Sequence, residues 1–82
     1  MTLDNFRIEV QKCLKNERKV TDVAFEPLQD GLERVYFWDN GIRSNFVMHP
    51  EKIANKQELA LAAKAQAQTA YEAAQRAPKV EA

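Results

Sequence analysis

The chain has 82 residues, which predicts a single domain of modest stability, because a core of this size buries only about 60% of the unfolded chain's surface. Twelve basic and twelve acidic residues cancel, and this balance excludes a strong overall attraction to nucleic acid. Cys13 is the only cysteine, so an internal disulfide is excluded and a reducing cytoplasm is favoured. Neither a membrane-length apolar run nor a signal-peptide pattern is present, so we expect no membrane partner.

The first predicted element is a helix over about residues 3–18. Thr2 or Asp4 can cap its start, and apolar side chains recur along one stripe at helical spacing. The stripe beside it is basic, and a solvated face is the simpler explanation of its charges, with a binding patch as the alternative. The basic stripe consists of Arg7, Gln11, Lys15 and Arg18.

A strand over residues 20–25 follows this helix. Its side chains alternate between apolar and polar, so Val23 and Phe25 should point inward. Pro27 ends the strand, and Asp30-Gly31 is a turn signal that leads into the next strand. Together with the two strands that come next, this segment predicts a three-stranded antiparallel meander.

The central feature of the chain is a predicted β-hairpin over residues 33–48. Asn40-Gly41 closes it as a two-residue turn, because this dipeptide accepts positive φ at both positions. The alternation of side chains selects the same register, since a shift of one residue would mix the two faces. The predicted cross-strand pairs are Asp39 with Ile42, Trp38 with Arg43, Tyr36 with Asn45, and Val35 with Phe46.

One face of the hairpin is apolar and predicts the core, together with the apolar stripe of the first helix. The predicted core residues are Leu3, Phe6, Val10, Leu14, Val23, Phe25, Val35, Phe37, Phe46 and Met48.

A long second helix should close the fold. Asn55 and Glu58 can form a capping box at its start, and it should continue to about Arg76, before Pro78. The predicted fold is therefore α+β, in the order helix, three-stranded antiparallel β-meander, long C-terminal helix (αβββα). We expect one domain over residues 1–77 and a frayed C-terminal tail over residues 78–82.

Alanines recur on the second helix in a seven-residue repeat that extends from Ala60 to Ala77. They fit a helix that forms through intrinsic propensity and packs on the sheet. They equally fit a close approach of two backbones, which would make the protein a homodimer through this helix. The predicted dimer-interface residues are Ala60, Ala63, Ala67, Ala70, Tyr71 and Ala74.

Residues suited to catalysis are few. Cys13 lies on the apolar stripe of the first helix, where a small core residue is much more common than a nucleophile. One Cys and one His, His49, cannot build a zinc site alone, and both glycines lie in turns rather than in a phosphate-binding loop. We therefore expect a non-enzymatic protein with no catalytic residue, no metal and no cofactor.

The second face of the hairpin carries the side-chain types that are most enriched at binding hot spots. The nearby acids Glu33 and Asp39 fall on the other side of their strand, so burial of this face would leave its arginines unpaired. In the alternative interpretation, the C-terminal helix covers the face and makes its aromatic rings part of the core. The predicted partner-binding residues are Arg34, Tyr36, Trp38, Arg43 and Asn45.

The order of elements resembles the layout of small phage-encoded accessory proteins, including some anti-CRISPR inhibitors. The resemblance is one of layout over the whole chain, and it transfers no site residue. It implies a small binding protein that occupies a site on a larger protein partner, such as a host defence complex. The alternative is a nucleic-acid-binding accessory protein that uses the basic stripe of the first helix and the aromatic sheet face. The neutral charge balance makes nucleic acid the less favoured partner.

Overall fold

The computed structural model describes residues 1–76 and has the predicted αβββα order, so the α+β fold is confirmed. The elements are α1 (Leu3–Glu17), β1 (Val20–Pro27), β2 (Glu33–Asp39), β3 (Ile42–Met48) and α2 (Lys56–Arg76). The predicted stop at Pro78, the predicted tail over residues 78–82 and the last alanine of the repeat, Ala77, lie outside the described residues.

The three strands form one antiparallel sheet in the order β1-β2-β3. All four predicted pairs of the hairpin are present, including Trp38 opposite Arg43. Asn40 and Gly41 have φ angles of 54° and 79°, as the two-residue turn requires. The register that the alternation of side chains predicts is therefore the register of the fold.

Each helix begins at a side-chain cap. The backbone N–H of Asn5 donates to Thr2 Oγ1 at 3.2 Å, so Thr2 rather than Asp4 caps α1. At α2, the N–H of Glu58 donates to Asn55 Oδ1 at 2.8 Å, as predicted. The Glu58 carboxylate in turn accepts from the N–H of Ala54 at 3.1 Å, one residue before the position that a capping box uses.

Both helices pack on the same face of the sheet, and one hydrophobic core lies between them. The contacts of α2 are mainly with β3 and α1, while α1 also lies against β1. The buried hydrophobic residues are Phe6, Val10, Leu14, Val20, Val35, Phe37, Phe46, Met48, Ile53, Leu59, Ala63 and Ala67.

The predicted core differs from the observed core mainly at its rim. Leu3 is 41% exposed, because it lies in the first turn of α1, and its assignment to the core was wrong. Val23 and Phe25 are only partly buried, because the helices cover the edge strand β1 less closely than the other edge strand, β3. Ile53 and Leu59 complete the core from the segment that leads into α2 and from its first turn.

The alanine stripe of α2 packs inside the chain. Ala63 and Ala67 have no exposed surface, and Ala70 is partly buried against the core. Small side chains at these positions let the α2 backbone approach the sheet and α1 closely. The packing leaves Ala63 and Ala67 out of reach of a second copy. The homodimer stays a prediction, and its interface would be limited to Ala60, Ala70, Tyr71 and Ala74.

Candidate binding surface

The sheet face that points away from both helices is open to solvent. The strand register places three rows of side chains on it, with one residue from each strand in every row. Since α2 packs on the opposite face, the alternative in which it covers the aromatic rings is wrong. We call this surface the outer face. Its first row consists of Asp22, Trp38 and Arg43, its second of Ala24, Tyr36 and Asn45, and its third of Glu26, Arg34 and Val47.

Arg43 is stacked on both aromatic rings of the outer face. Its guanidinium carbon lies 4.7 Å from the ring centroid of Tyr36 and 5.8 Å from that of Trp38. These distances are typical of cation–π contacts. Arg43 is exposed whereas both rings are half-buried, so the surface presents a guanidinium supported by two rings rather than two bare ring faces.

At the end of the outer face that is further from the hairpin turn, polar side chains bind one another. Tyr36 Oη donates to Glu26 Oε1 at 2.9 Å, and Arg34 Nη1 donates to Asn45 Oδ1 at 3.2 Å. Arg34 Nε lies 3.5 Å from Glu26 Oε1, which is an ion-pair distance without hydrogen-bond geometry. The expectation that burial would leave both arginines of this face unpaired is therefore wrong for Arg34, because β1 contributes Glu26 and Asp22 to the face.

The five predicted binding residues do lie on one face, but the two arginines have different surroundings. Arg34 is half-buried and contacts Glu26 and Asn45. Arg43 is exposed, and no carboxylate among residues 1–76 lies within 4.0 Å of its guanidinium. Arg43 is thus the arginine of the outer face whose charge is left for a ligand.

The basic stripe of α1 is solvated only in part. Arg7 Nε lies 2.6 Å from Glu33 Oε2, and Arg18 forms an ion pair with Asp39. Both acids are buried, with exposed fractions of 2% for Glu33 and 4% for Asp39. The solvated-face interpretation is therefore wrong for Arg7 and Arg18, whereas Lys15 is exposed as expected. Two arginines of the stripe act inside the fold, and this weakens its role as a nucleic-acid patch.

Cys13 is half-buried and lies in a groove between α1 and α2. Its Sγ donates to the carbonyl oxygen of Ala60 at 3.7 Å. Burial raises the pKa of the Cys13 thiol above its ordinary value, the Glu17 carboxylate raises it further, and Lys64 partly opposes them. A raised pKa keeps the sulfur protonated at neutral pH, so the thiolate that nucleophilic chemistry needs is scarce.

The raised pKa predicts slow alkylation of Cys13. At pH 8, iodoacetamide should modify the folded protein more slowly than the same chain in urea, because a smaller fraction of the folded thiol is ionised. The rate should rise steadily as the pH increases through 9. Mass spectrometry of quenched time points gives both rates. Equal rates in the folded and unfolded chain would show that the groove does not protect the thiol.

The remaining candidate sites for chemistry are sparse. His49 packs against Gly31, where an added Cβ would lie 3.2 Å from His49 Cε1. Within residues 1–76, no group of three or more His, Cys, Asp or Glu side chains is placed to hold a metal ion. In the same part of the chain, no helix is long and apolar enough to cross a membrane. No protein-family model, curated protein or solved structure matches this chain, so the geometry of the outer face is what carries the functional conclusion.

Proposed function

We propose that this protein is a non-enzymatic binding protein that occupies a site on a larger protein partner through its outer face. The observation that carries the proposal is an uncovered sheet face with two aromatic rings and a stacked arginine, on a domain whose helices pack on the opposite face. Trp, Tyr and Arg supply most of the energy in many protein interfaces. A face composed in this way is well suited to be the centre of an interface.

The charges of the outer face favour a protein over nucleic acid. Asp22 and Glu26 balance Arg34 and Arg43, so the face has no net positive charge to follow a phosphate backbone. Proteins that bind single strands also need open ring faces on which bases can stack. Here the guanidinium of Arg43 lies over both rings.

A host defence complex is the class of partner that the order of elements favours, and blocking a site on it would need no chemistry. We also propose that the protein acts in a reducing cytoplasm, because Cys13 has no second cysteine with which to pair. The partner can be identified by affinity capture from cells of the host, followed by mass spectrometry and titration of the purified partner.

Trp38→Ala should weaken binding of the captured partner about thirtyfold, since a hot-spot truncation costs about 2 kcal/mol. Isothermal titration calorimetry with the purified partner measures the change. The matched control is Leu61→Ala, which removes an apolar side chain that is 72% exposed on α2, away from the outer face. This control should bind as the unmodified chain does. Equal losses in the two variants would place the interface elsewhere.

Photo-cross-linking maps the interface without removing any contact of the face. A p-benzoylphenylalanine residue at Ala24, which lies opposite Tyr36 in the central row, should cross-link to the partner. The same residue at Ala65, which is exposed on α2, should not. Cross-linking from Ala65 alone would contradict the proposal. Recovery of nucleic acid that dissociates steeply with added salt, without a stoichiometric protein, would favour the nucleic-acid alternative.

A further inference from the structure

We infer that the outer face recognises an acidic side chain of its protein partner, whose carboxylate is bound by Arg43 and Asn45 together. This inference rests on the proposed function and specifies the chemistry of the same surface. It predicts that the segment of the partner in contact with β3 contains an Asp or a Glu.

The first observation behind it is the state of Arg43. Arg7, Arg18 and Arg34 each have a carboxylate within 4.0 Å, whereas Arg43 has none among residues 1–76. Its guanidinium is instead held 4.7 Å from the Tyr36 ring and 5.8 Å from the Trp38 ring. Stacking restricts the side chain before a ligand arrives, so less conformational entropy is lost when it binds a carboxylate.

The second observation is the orientation of Asn45. Asn45 lies two residues beyond Arg43 on the same face of β3, which places the two Cα atoms about 7 Å apart. The Asn45 Oδ1 already accepts from Arg34 Nη1 at 3.2 Å, so its Nδ2 group is the end that is left to donate. Both Arg43 and Asn45 are exposed. Two donor groups that are neighbours on one strand face can together bind the two oxygens of a carboxylate.

The positions of the acids explain why a carboxylate on a protein fits better than a polyanion. Asp22 and Glu26 lie on β1, which is the far edge of the sheet from Arg43. A single Asp or Glu side chain over β3 would stay at the edge that carries the donors. A phosphate backbone that crossed the three strands would also meet both acids and be repelled by them.

Panning a phage-displayed library of random dodecapeptides with the whole chain tests the inference. Selected peptides should be enriched in Asp or Glu, and Arg43→Gln should weaken their binding about thirtyfold as measured by fluorescence polarisation. Asp→Asn or Glu→Gln in the peptide should cause the same loss with the unmodified chain. Replacing the acid of the peptide should have little further effect on binding to Arg43→Gln, because the carboxylate of the peptide and the guanidinium of Arg43 act as a pair. The matched control is Lys15→Gln, which removes one positive charge from the exposed side of α1 and should leave binding unchanged.

Other outcomes separate this inference from the proposed function. The selected peptides could lack acidic residues, and their binding could be lost in Trp38→Ala but kept in Arg43→Gln. This result would overturn the inference and leave the proposed function intact. Peptides whose binding survives both substitutions, or the absence of any selected peptide, would count against both proposals. Single-stranded oligonucleotides of twenty deoxythymidines or twenty uridines provide the comparison with phosphate. If they bound more tightly than the peptides and lost affinity for Arg43→Gln, the recognised anion would be a phosphate, and the inference would be overturned.

Discussion

Replacing Phe37 with alanine should lower the free energy of unfolding by about 3 to 5 kcal/mol, because the ring is fully buried and the cavity left behind can collapse only in part. Phe37 lies in β2, the central strand, and its ring centroid is 5.8 Å from that of Phe46 at an interplanar angle of 57°. Small domains are stable by only about 5 to 15 kcal/mol, so this change alone removes a large share of the stability. Urea unfolding followed by far-ultraviolet circular dichroism measures the loss.

Trp38→Ala is the control for Phe37→Ala, because the two residues are neighbours in sequence and lie on opposite faces of β2. Trp38 is half-buried on the outer face, so its truncation should cost clearly less than that of Phe37. If both variants lost the same free energy of unfolding, the outer face would be part of the core. The proposed binding surface would then be wrong.

The hairpin could be predicted from sequence because its determinants are local. Asn40-Gly41 selects the turn, and the period-two alternation of β2 and β3 selects the register. These two signals agree, so the side chains that share the outer face within the hairpin were assigned correctly. The capping residues Thr2 and Asn55 were predictable for the same reason, since each bonds within its own helix start.

The local pattern left open whether the C-terminal helix covers the outer face, because both faces of the hairpin carry aromatic residues. One missed signal would have helped. Glu33 and Asp39 occupy inward-facing positions at the two ends of β2, and a buried acid needs a partner. Arg7 and Arg18, the residue that follows α1, are about 17 Å apart along the helix axis, and the two acids are about 20 Å apart along β2. One helix with its C-terminal cap can therefore pair with both acids.

The residues of the outer face could be predicted from the hairpin, but their environment could not. Arg34 and Arg43 look equivalent in the hairpin, since both face outward beside aromatic rings. Their difference comes from their strands: Arg34 is on β2, next to Glu26 of β1, whereas Arg43 is on β3, one strand further from β1, and has no carboxylate within 4.0 Å among residues 1–76. This depends on the pairing of β1 with β2, which joins segments on either side of a longer connection and is not fixed by a two-residue turn.

Arg18→Leu should destabilise the fold by about 3 to 5 kcal/mol, because it leaves the buried carboxylate of Asp39 without its counter-charge. Arg18 also donates from Nη1 to Gln68 Oε1 at 2.7 Å and lies 5.0 Å from the ring centroid of Tyr71. A single side chain therefore connects α1, the end of β2 and α2. Thermal and urea unfolding measure the loss, and Lys15→Leu, one turn earlier and exposed, is the control for removal of a basic residue.

A double substitution separates the cost of the unpaired charge from the loss of packing. Asp39→Leu combined with Arg18→Leu should recover much of the stability, since replacing both partners of a buried ion pair by apolar groups is often close to neutral. If the double variant were as unstable as the sum of the single ones, the contacts with Gln68 and Tyr71 would be the main contribution of Arg18. Neither residue lies on the outer face, so partner binding per folded molecule should be unchanged in the double variant. A loss of affinity there would mean that this ion pair positions the hairpin end that carries Trp38 and Arg43.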